Sequence, residues 1–316
     1  MVSGLSGAPR ATRAAPSAFG FRVRCQQSLR FLRSGGGAET LEVVTAPEPR
    51  KPPDTAPLAD WMLAGTDYRV QGTLYKLGRR FAFCVTDAGA YHIDPERGRI
   101  EIPDSDDDVV REQRLWGIPA ALCFMHRGDF PLHAAAVEVG EGAVILAAPA
   151  QHGKTTLALA FHKHGYRVLS EDLTCCRFSR GPEVLPGPAL LRIRPDIYDG
   201  PPLGTHVVLA RPDRVYVALD DDRRGSSSPV PIRAIVFLRE SADNHRIERV
   251  AASVALPDLW SLSFRLPTDE GRARSFRQLA RLAGTLPTWN LYRPVRLASL
   301  DATVARIVEE LDRDHT

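Results

Sequence analysis

The sequence predicts an α/β fold in two parts, a small, mostly β unit over residues 19–105 and an α/β unit over 106–316. Three observations carry this expectation. Up to about residue 100 the apolar residues fall in short alternating segments separated by turn residues, the period-2 pattern of strands. Beyond that point an uncharged, mostly apolar run at 142–148 leads through a loop ending in Gly153-Lys154-Thr155 into a helical pattern. A further short strand then ends in the acidic pair Glu171-Asp172. Strand, loop, helix and strand in that order are the units of an α/β domain.

A chain of 316 residues suits two domains of ordinary size. Its 44% hydrophobic and 25% charged residues are the composition of a soluble globular protein and exclude a low-complexity or fibrous one. A net charge of +3 is too small to point to nucleic acid or a membrane surface, so neither partner is expected. There is no run of 18 apolar residues to predict a membrane-spanning helix. Five scattered cysteines argue against a disulfide framework and suit a reducing cytoplasm. The adjacent Cys175 and Cys176 suggest either a redox or soft-metal pair or a buried strand end. Neighbouring strand residues point to opposite faces, which favours the second.

Residues 1–18 carry arginines and small residues but no acids and no apolar stretch, and are expected to be a disordered tail outside the fold. From Phe19 the alternation of Phe21, Val23 and Cys25 with Arg22 and Arg24 predicts a strand, and residues 41–45 predict another. Gly35-Gly36-Gly37 marks a loop between them. Residues 47–57 are proline-rich and read as a linker or surface crossing. Residues 68–70, 73–76, 81–86 and 91–93 continue as short strands, with turns at Gly78 and at Asp87-Ala88-Gly89. The acidic stretch 103–108, with Asp104 and Asp106 to Asp108, reads as a solvated loop or a cation site. Residues 109–125 form a helical pattern expected to break or bend at Pro119.

The apolar run at 142–148 fits a strand buried on both faces. After it come Ala148, Pro149, Ala150, Gln151, His152, Gly153, Lys154, Thr155 and Thr156, the pattern of a nucleotide-phosphate loop with alanine in place of its first glycine. Residue 148 precedes a proline and is therefore held extended, which alanine tolerates. Successive backbone N–H groups and the helix N-terminus make a cradle for anions. Lys154 has the reach to meet terminal phosphates, and the Thr155 hydroxyl can ligate Mg²⁺. His152 either donates to a phosphate or sits exposed. Gly165 marks the end of the helix.

Residues 166–169 predict a strand ending in Ser170-Glu171-Asp172. A right-handed crossover lays it parallel to the first strand, with both carboxylates at the carboxyl end where α/β proteins bind ligands. Phosphoryl transfer needs two acidic functions there, one for Mg²⁺ and one to orient and deprotonate the attacking hydroxyl. His133, in the apolar stretch 131–137, reads equally as a core histidine or as a site residue on the strand entering the core.

Three features in order resemble the kinase domain of HPr kinase/phosphorylase and its wider set of HPr-kinase-like relatives. They are Leu132-His133-Ala134, the loop followed by Gly153-Lys154-Thr155-Thr156-Leu157-Ala158, and the stretch 165–172 that closes in the acidic pair. Val184-Leu185-Pro186-Gly187 and residues 190–195 continue the likeness. It covers roughly residues 118–313 and is sharp over 131–195. The resemblance implies a P-loop fold of the HPr kinase/phosphoenolpyruvate carboxykinase type with a mixed sheet. It implies ATP and Mg²⁺ as cofactors and a serine hydroxyl as acceptor. By position, Lys154 and Thr155 serve phosphate and metal, Glu171 is the general base and Asp172 the metal-side carboxylate, with His133 setting the protonation of the base. Family members usually carry two aspartates, so Glu171 is a departure. The N-terminal part has no clear match to true HPr kinases. The chain looks more like divergent relatives that phosphorylate ribosomally made peptides, including lasso peptides, and the family implies a homo-oligomer.

Toward the C-terminus, residues 216–219 and 232–238 predict strands, separated by the polar segment 220–229 with Ser226-Ser227-Ser228, read as a lid or an exposed loop. Residues 259–264, 273–283 and 298–311 predict helices. Arg192, Arg194 and Arg293 are candidates to neutralise phosphate charge. The sequence therefore predicts an ATP- and Mg²⁺-dependent serine kinase acting on a protein or peptide that the N-terminal unit positions. Its alternatives are a small-molecule kinase and a catalytically silent ATP-binding regulator.

Overall fold

The computed structural model describes residues 15–46, 52–64, 69–86, 88–105, 107–220, 225–242 and 245–313. The expected tail up to residue 14, and residues 47–51, Tyr68, Asp87, Asp106 and 221–224 of the expected linker, strand, turn, acidic stretch and polar segment, lie outside them.

Nine strands from the N-terminal third build one sheet. They are β1 (Pro16–Ala18), β2 (Phe21–Cys25), β3 (Arg33–Ser34), β4 (Glu39–Thr45), β5 (Ala59–Ala64), β6 (Arg69–Leu77), β7 (Arg80–Val85), β8 (Gly89–Asp94) and β9 (Arg99–Ile102). Their order is β3-β1-β2-β4-β9-β8-β7-β6-β5, antiparallel except where β4 meets β2 and β9. Strand β1 falls inside the stretch expected to lie outside the fold. It pairs with β2 and β3, and Ala18 is fully buried.

Two helices, α1 (Asp108–Leu115) and α2 (Ile118–His126), occupy the helical pattern, which is broken rather than bent. The chain breaks at Trp116-Gly117 rather than at Pro119, which sits in the first turn of α2 where its missing N–H costs nothing. Asp107 caps α1 by accepting from the Val110 N–H, and Asp108 pairs with Arg30, so these two acids of the 103–108 stretch serve local structure. Both helices share a core with Phe21, Leu41, Tyr91 and Ile100 of the first sheet, and that core extends to Cys175, Leu185 and Tyr216. It runs across residue 105, where the sequence pattern placed a boundary.

The second sheet is mixed, in the order β10-β14-β15-β19-β12-β11-β13, with β20 and β21 added beside β19. Its strands are β10 (Phe130–Leu132), β11 (Ala134–Val139), β12 (Gly142–Ala147), β13 (Arg167–Ser170), β14 (Thr174–Phe178), β15 (Pro182–Leu185), β19 (Val230–Glu240), β20 (Arg246–Val250) and β21 (Thr288–Arg293). Strand β12 is buried throughout because both faces are covered. Val144 and Leu146 pack toward α3 (Lys154–Lys163) and α6 (Leu300–Arg313), whereas Ile145 and Ala147 pack toward α4 (Ala252–Ser261) and α5 (Asp269–Thr285). Period-2 side-chain alternation turns one continuous apolar run into two interfaces. Strand β12 runs parallel to β19, and β19 parallel to β21. Strand β13 pairs antiparallel with β11, which is itself antiparallel to β12. It is therefore parallel to β12 as expected, but one strand removed.

A third sheet, β16 (Leu190–Ile193), β18 (Val215–Leu219) and β17 (Thr205–Ala210), packs beside α3. Cys175 and Cys176 are buried in β14, so the pair is strand interior. In the polar segment, the Ser227 N–H donates to the Ser34 carbonyl and the Ser226 carbonyl accepts from Arg167, which ties the described part down. Helix α4 begins seven residues before the expected 259 and ends at Ser261. The sequence pattern missed this because Pro257 lies inside the helix. Among the described residues no helix is long and apolar enough to cross a membrane.

Candidate active site

The loop between β12 and α3 combines exposed and strained backbone. Pro149, Ala150 and Gln151 are exposed, while Ala148 is still core. Gln151 (φ 67°) and Gly153 (φ 80°) both adopt left-handed backbone. For Gln151 this is unfavourable by about 1–2 kcal/mol, a cost seen mainly where a ligand or a mechanism needs the shape. Gly153 caps α3 without any side chain accepting from its first-turn N–H groups, so the helix end keeps donors to offer an anion. His152 is part-exposed, with Nδ1 2.8 Å from the Ala150 carbonyl. Thr156 is half-buried in the first turn of α3.

Lys154 is only 7% exposed. Its ammonium donates to the carbonyls of Ala148 (2.8 Å) and Pro149 (2.9 Å) and lies 3.0 Å from Nε2 of His133. Burial lowers its pKa, opposed by Asp172 and Glu171. His133 occupies the irregular residue between β10 and β11 rather than a strand. Its Nδ1 lies 3.0 Å from the Asp172 carbonyl and 3.4 Å from Oδ1 of that residue. Burial lowers the His133 pKa, with Asp172 opposing. The histidine thus sits against both the lysine and the second acid.

The two acids face different partners. The Thr155 hydroxyl donates to Oε1 of Glu171 at 2.5 Å, and the Glu171 side chain is 7% exposed. The Asp172 side chain is 40% exposed, on a backbone with φ 67°. Arg192, on β16, holds both carboxylates, with Asp172 Oδ2 at 2.6 Å and Glu171 Oε2 at 3.6 Å. Burial raises the pKa of Glu171, partly offset by Arg192. Desolvation acts the same way on Asp172, but Arg192, His133 and Lys154 more than reverse it, leaving that pKa below the ordinary carboxylate range. Two adjacent acids are thereby driven apart, the pattern of groups with separate roles.

The three candidate arginines separate. Arg192 binds the acidic pair. Arg194 is an exposed partner of Asp196 and is not brought into the site. Arg293, at the end of β21, donates to the His152 carbonyl at 3.0 Å. One residue the sequence pattern did not flag is Arg33. Its buried guanidinium donates to the carbonyls of Gly187 (2.7 Å), Val168 (2.8 Å) and Leu169 (3.3 Å), bracing the strand that delivers Glu171 and Asp172.

The chain is similar to the structure of the Hpr(Ser) kinase/phosphatase from Coxiella burnetii, with 10% identity, 58% of this chain and 98% of that chain covered, and a TM-score of 0.30. A likeness this slight decides nothing about activity, which has to be judged on the loop and its acids. No family model and no curated protein matches the sequence.

The residues present fit the cofactors that the sequence pattern implies. A loop with an uncapped helix N-terminus and a buried lysine suits a nucleotide polyphosphate. Thr155 and Glu171 offer adjacent hard oxygens, and Mg²⁺ held between phosphates needs only one or two protein carboxylates.

Proposed function

We propose that the chain is an ATP- and Mg²⁺-dependent kinase that transfers the γ-phosphate to a serine hydroxyl of a protein or peptide. The observation that carries the reading is the convergence of Lys154, His133, Glu171 and Asp172 at the mouth of the β12–α3 loop. The β12–α3 amides and Lys154 would hold the phosphates, and Thr155 with Glu171 would hold Mg²⁺, which supplies charge neutralisation on the transferring group.

We assign the acids by their surroundings, in the reverse of the roles implied by the family resemblance. Glu171 is bonded to the Thr155 hydroxyl and shielded from solvent, which suits the metal side. Asp172 is open to solvent and held by Arg192 and His133, which suits the acceptor side. There it orients the incoming hydroxyl and receives its proton as the serine oxygen bonds to phosphorus and the bond to the β-phosphate oxygen breaks. The open loop tip, where Pro149, Ala150 and Gln151 are all exposed, favours a macromolecular acceptor over a small molecule.

A second reading rests on Arg192. One guanidinium meets both carboxylates, an arrangement that also suits an ATP-binding regulator without transferase activity. Incubation of the full chain with Mg²⁺ and γ-labelled ATP and serine-containing peptides separates the two. Label on peptide serine supports the kinase. ATP binding without transfer to any acceptor supports the regulator.

A further inference from the structure

Arg293 is a buried cation without a counter-ion. It is 3% exposed, and among the described residues no carboxylate lies within ion-pair distance of it. Its Nη2 donates to the His152 carbonyl, while its Nε is buried with no hydrogen-bond partner. Burial depresses its pKa, opposed by Glu240, its register partner on β19. An uncompensated guanidinium in the interior is unfavourable, and such groups are kept where an anion or a charged partner arrives.

The location says which anion. Strand β21 ends beside β19, itself parallel to β12, so the carboxyl ends of all three strands open on the same edge as the loop. The guanidinium packs directly on Gly153, close enough that a methyl group there would lie 2.6 Å from Nη2. It therefore lies against the last loop residue, at the N-terminus of α3, which no side chain caps.

We propose that Arg293 is a phosphate-binding residue of this site, its charge left uncompensated in the free protein and neutralised by the polyphosphate of the bound nucleotide. The proposal rests on the nucleotide reading of the loop and adds a cation that the loop motif does not contain. It makes the affinity contribution specific to the β- and γ-phosphates rather than to the nucleoside. It also makes the free protein tolerate loss of the charge.

The test compares the full-length parent with Arg293→Met, Arg293→Lys and Lys154→Ala. ATP and AMP affinities are measured by calorimetry, and melting temperature is measured without nucleotide. The expected result is that Arg293→Met binds ATP about tenfold or more weakly, the loss typical of a charged hydrogen bond. Its AMP affinity should be nearly unchanged, and it should melt no lower than the parent. Arg293→Lys should retain most of the ATP affinity. If Arg293→Met binds ATP like the parent while Lys154→Ala does not, the loop reading stands and the role of Arg293 is refuted. If Arg293→Met melts well below the parent, and lysine rescues neither melting nor binding, Arg293 is a structural wedge under Gly153 and the proposal falls. If the parent itself shows no ATP affinity, the nucleotide reading fails and the proposal with it.

Discussion

The Lys154 ammonium lies 3.0 Å from Nε2 of His133, and this contact fixes the proton on the imidazole. An ammonium can only donate, so Nε2 accepts and the ring proton of the neutral form sits on Nδ1, facing the carbonyl and carboxylate of Asp172. The loop lysine and the second acid are thus joined through one neutral histidine. Placing a phosphate at the loop would draw Lys154 away from the ring and change what holds Asp172.

Stability should carry the signature of that histidine. The folded pKa of His133 lies below its ordinary value of 6.5, because burial disfavours the charged ring. As pH falls below about 6.5, the unfolded chain takes up a proton that the folded chain refuses. The contribution is present above that pH and is lost as acidification proceeds toward the folded pKa. In chelator-treated protein, His133→Gln should flatten the slope of unfolding free energy against pH over this window. An unchanged slope from denaturant titrations would show that His133 is not held neutral.

Exchange of the acids for their amides should separate their roles. Asp172→Asn should keep ATP affinity and reduce transfer at least a hundredfold, the usual scale for losing a positioned base. Glu171→Gln should instead raise the Mg²⁺ concentration needed for half-maximal nucleotide binding. Titrations of both variants with metal, read by nucleotide binding as well as by transfer, check the assignment. Identical behaviour of the two variants would contradict it.

Much of this site was readable from the amino-acid order, and the reasons are local. Strand β12, the glycine before Lys154 and the acid pair after β13 are short-range patterns, each needing only its neighbours to be recognised. The mixed sheet matches the expectation as well. What escaped depends on distance. Arg192 was legible as a basic residue but not as the partner of Glu171 and Asp172, because β16 reaches them through packing of a separate sheet. Strand β1 escaped because it is three residues long and preceded by a composition that reads as tail. The packing of α1 and α2 onto the first sheet was not legible either, since burial joins segments that charge patterning separates.

Arg33 exemplifies a contact beyond sequence reasoning, and its loss should be costly. Arg33→Met would strip donors from the buried carbonyls of Gly187 and Val168, each worth about 1–3 kcal/mol when left unsatisfied. A loss on the order of 2–4 kcal/mol in urea unfolding is expected, together with faster amide exchange along residues 167–170. Stability within 0.5 kcal/mol of the parent would mean that Arg33 does not brace the strand, since changes that small are typical of uninvolved surface sites.

Gly153→Ala should damage the loop without touching either acid. The position has φ 80°, unfavourable for alanine by roughly 1–2 kcal/mol, and the new methyl would collide with Arg293. Lower melting temperature and weaker nucleotide binding are expected together, by thermal denaturation and calorimetry. A variant with parental values for both would show that the left-handed loop backbone is not required.

The central claim is that the β12–α3 loop binds nucleotide polyphosphate through Lys154, and one titration tests it most directly. ATP with Mg²⁺ is titrated calorimetrically into the full chain and into Lys154→Ala. Saturable binding by the parent at one site, weakened at least tenfold in Lys154→Ala, is the predicted result. Equal affinity in the two proteins, or no binding by the parent, would contradict the assignment of the loop as a nucleotide site.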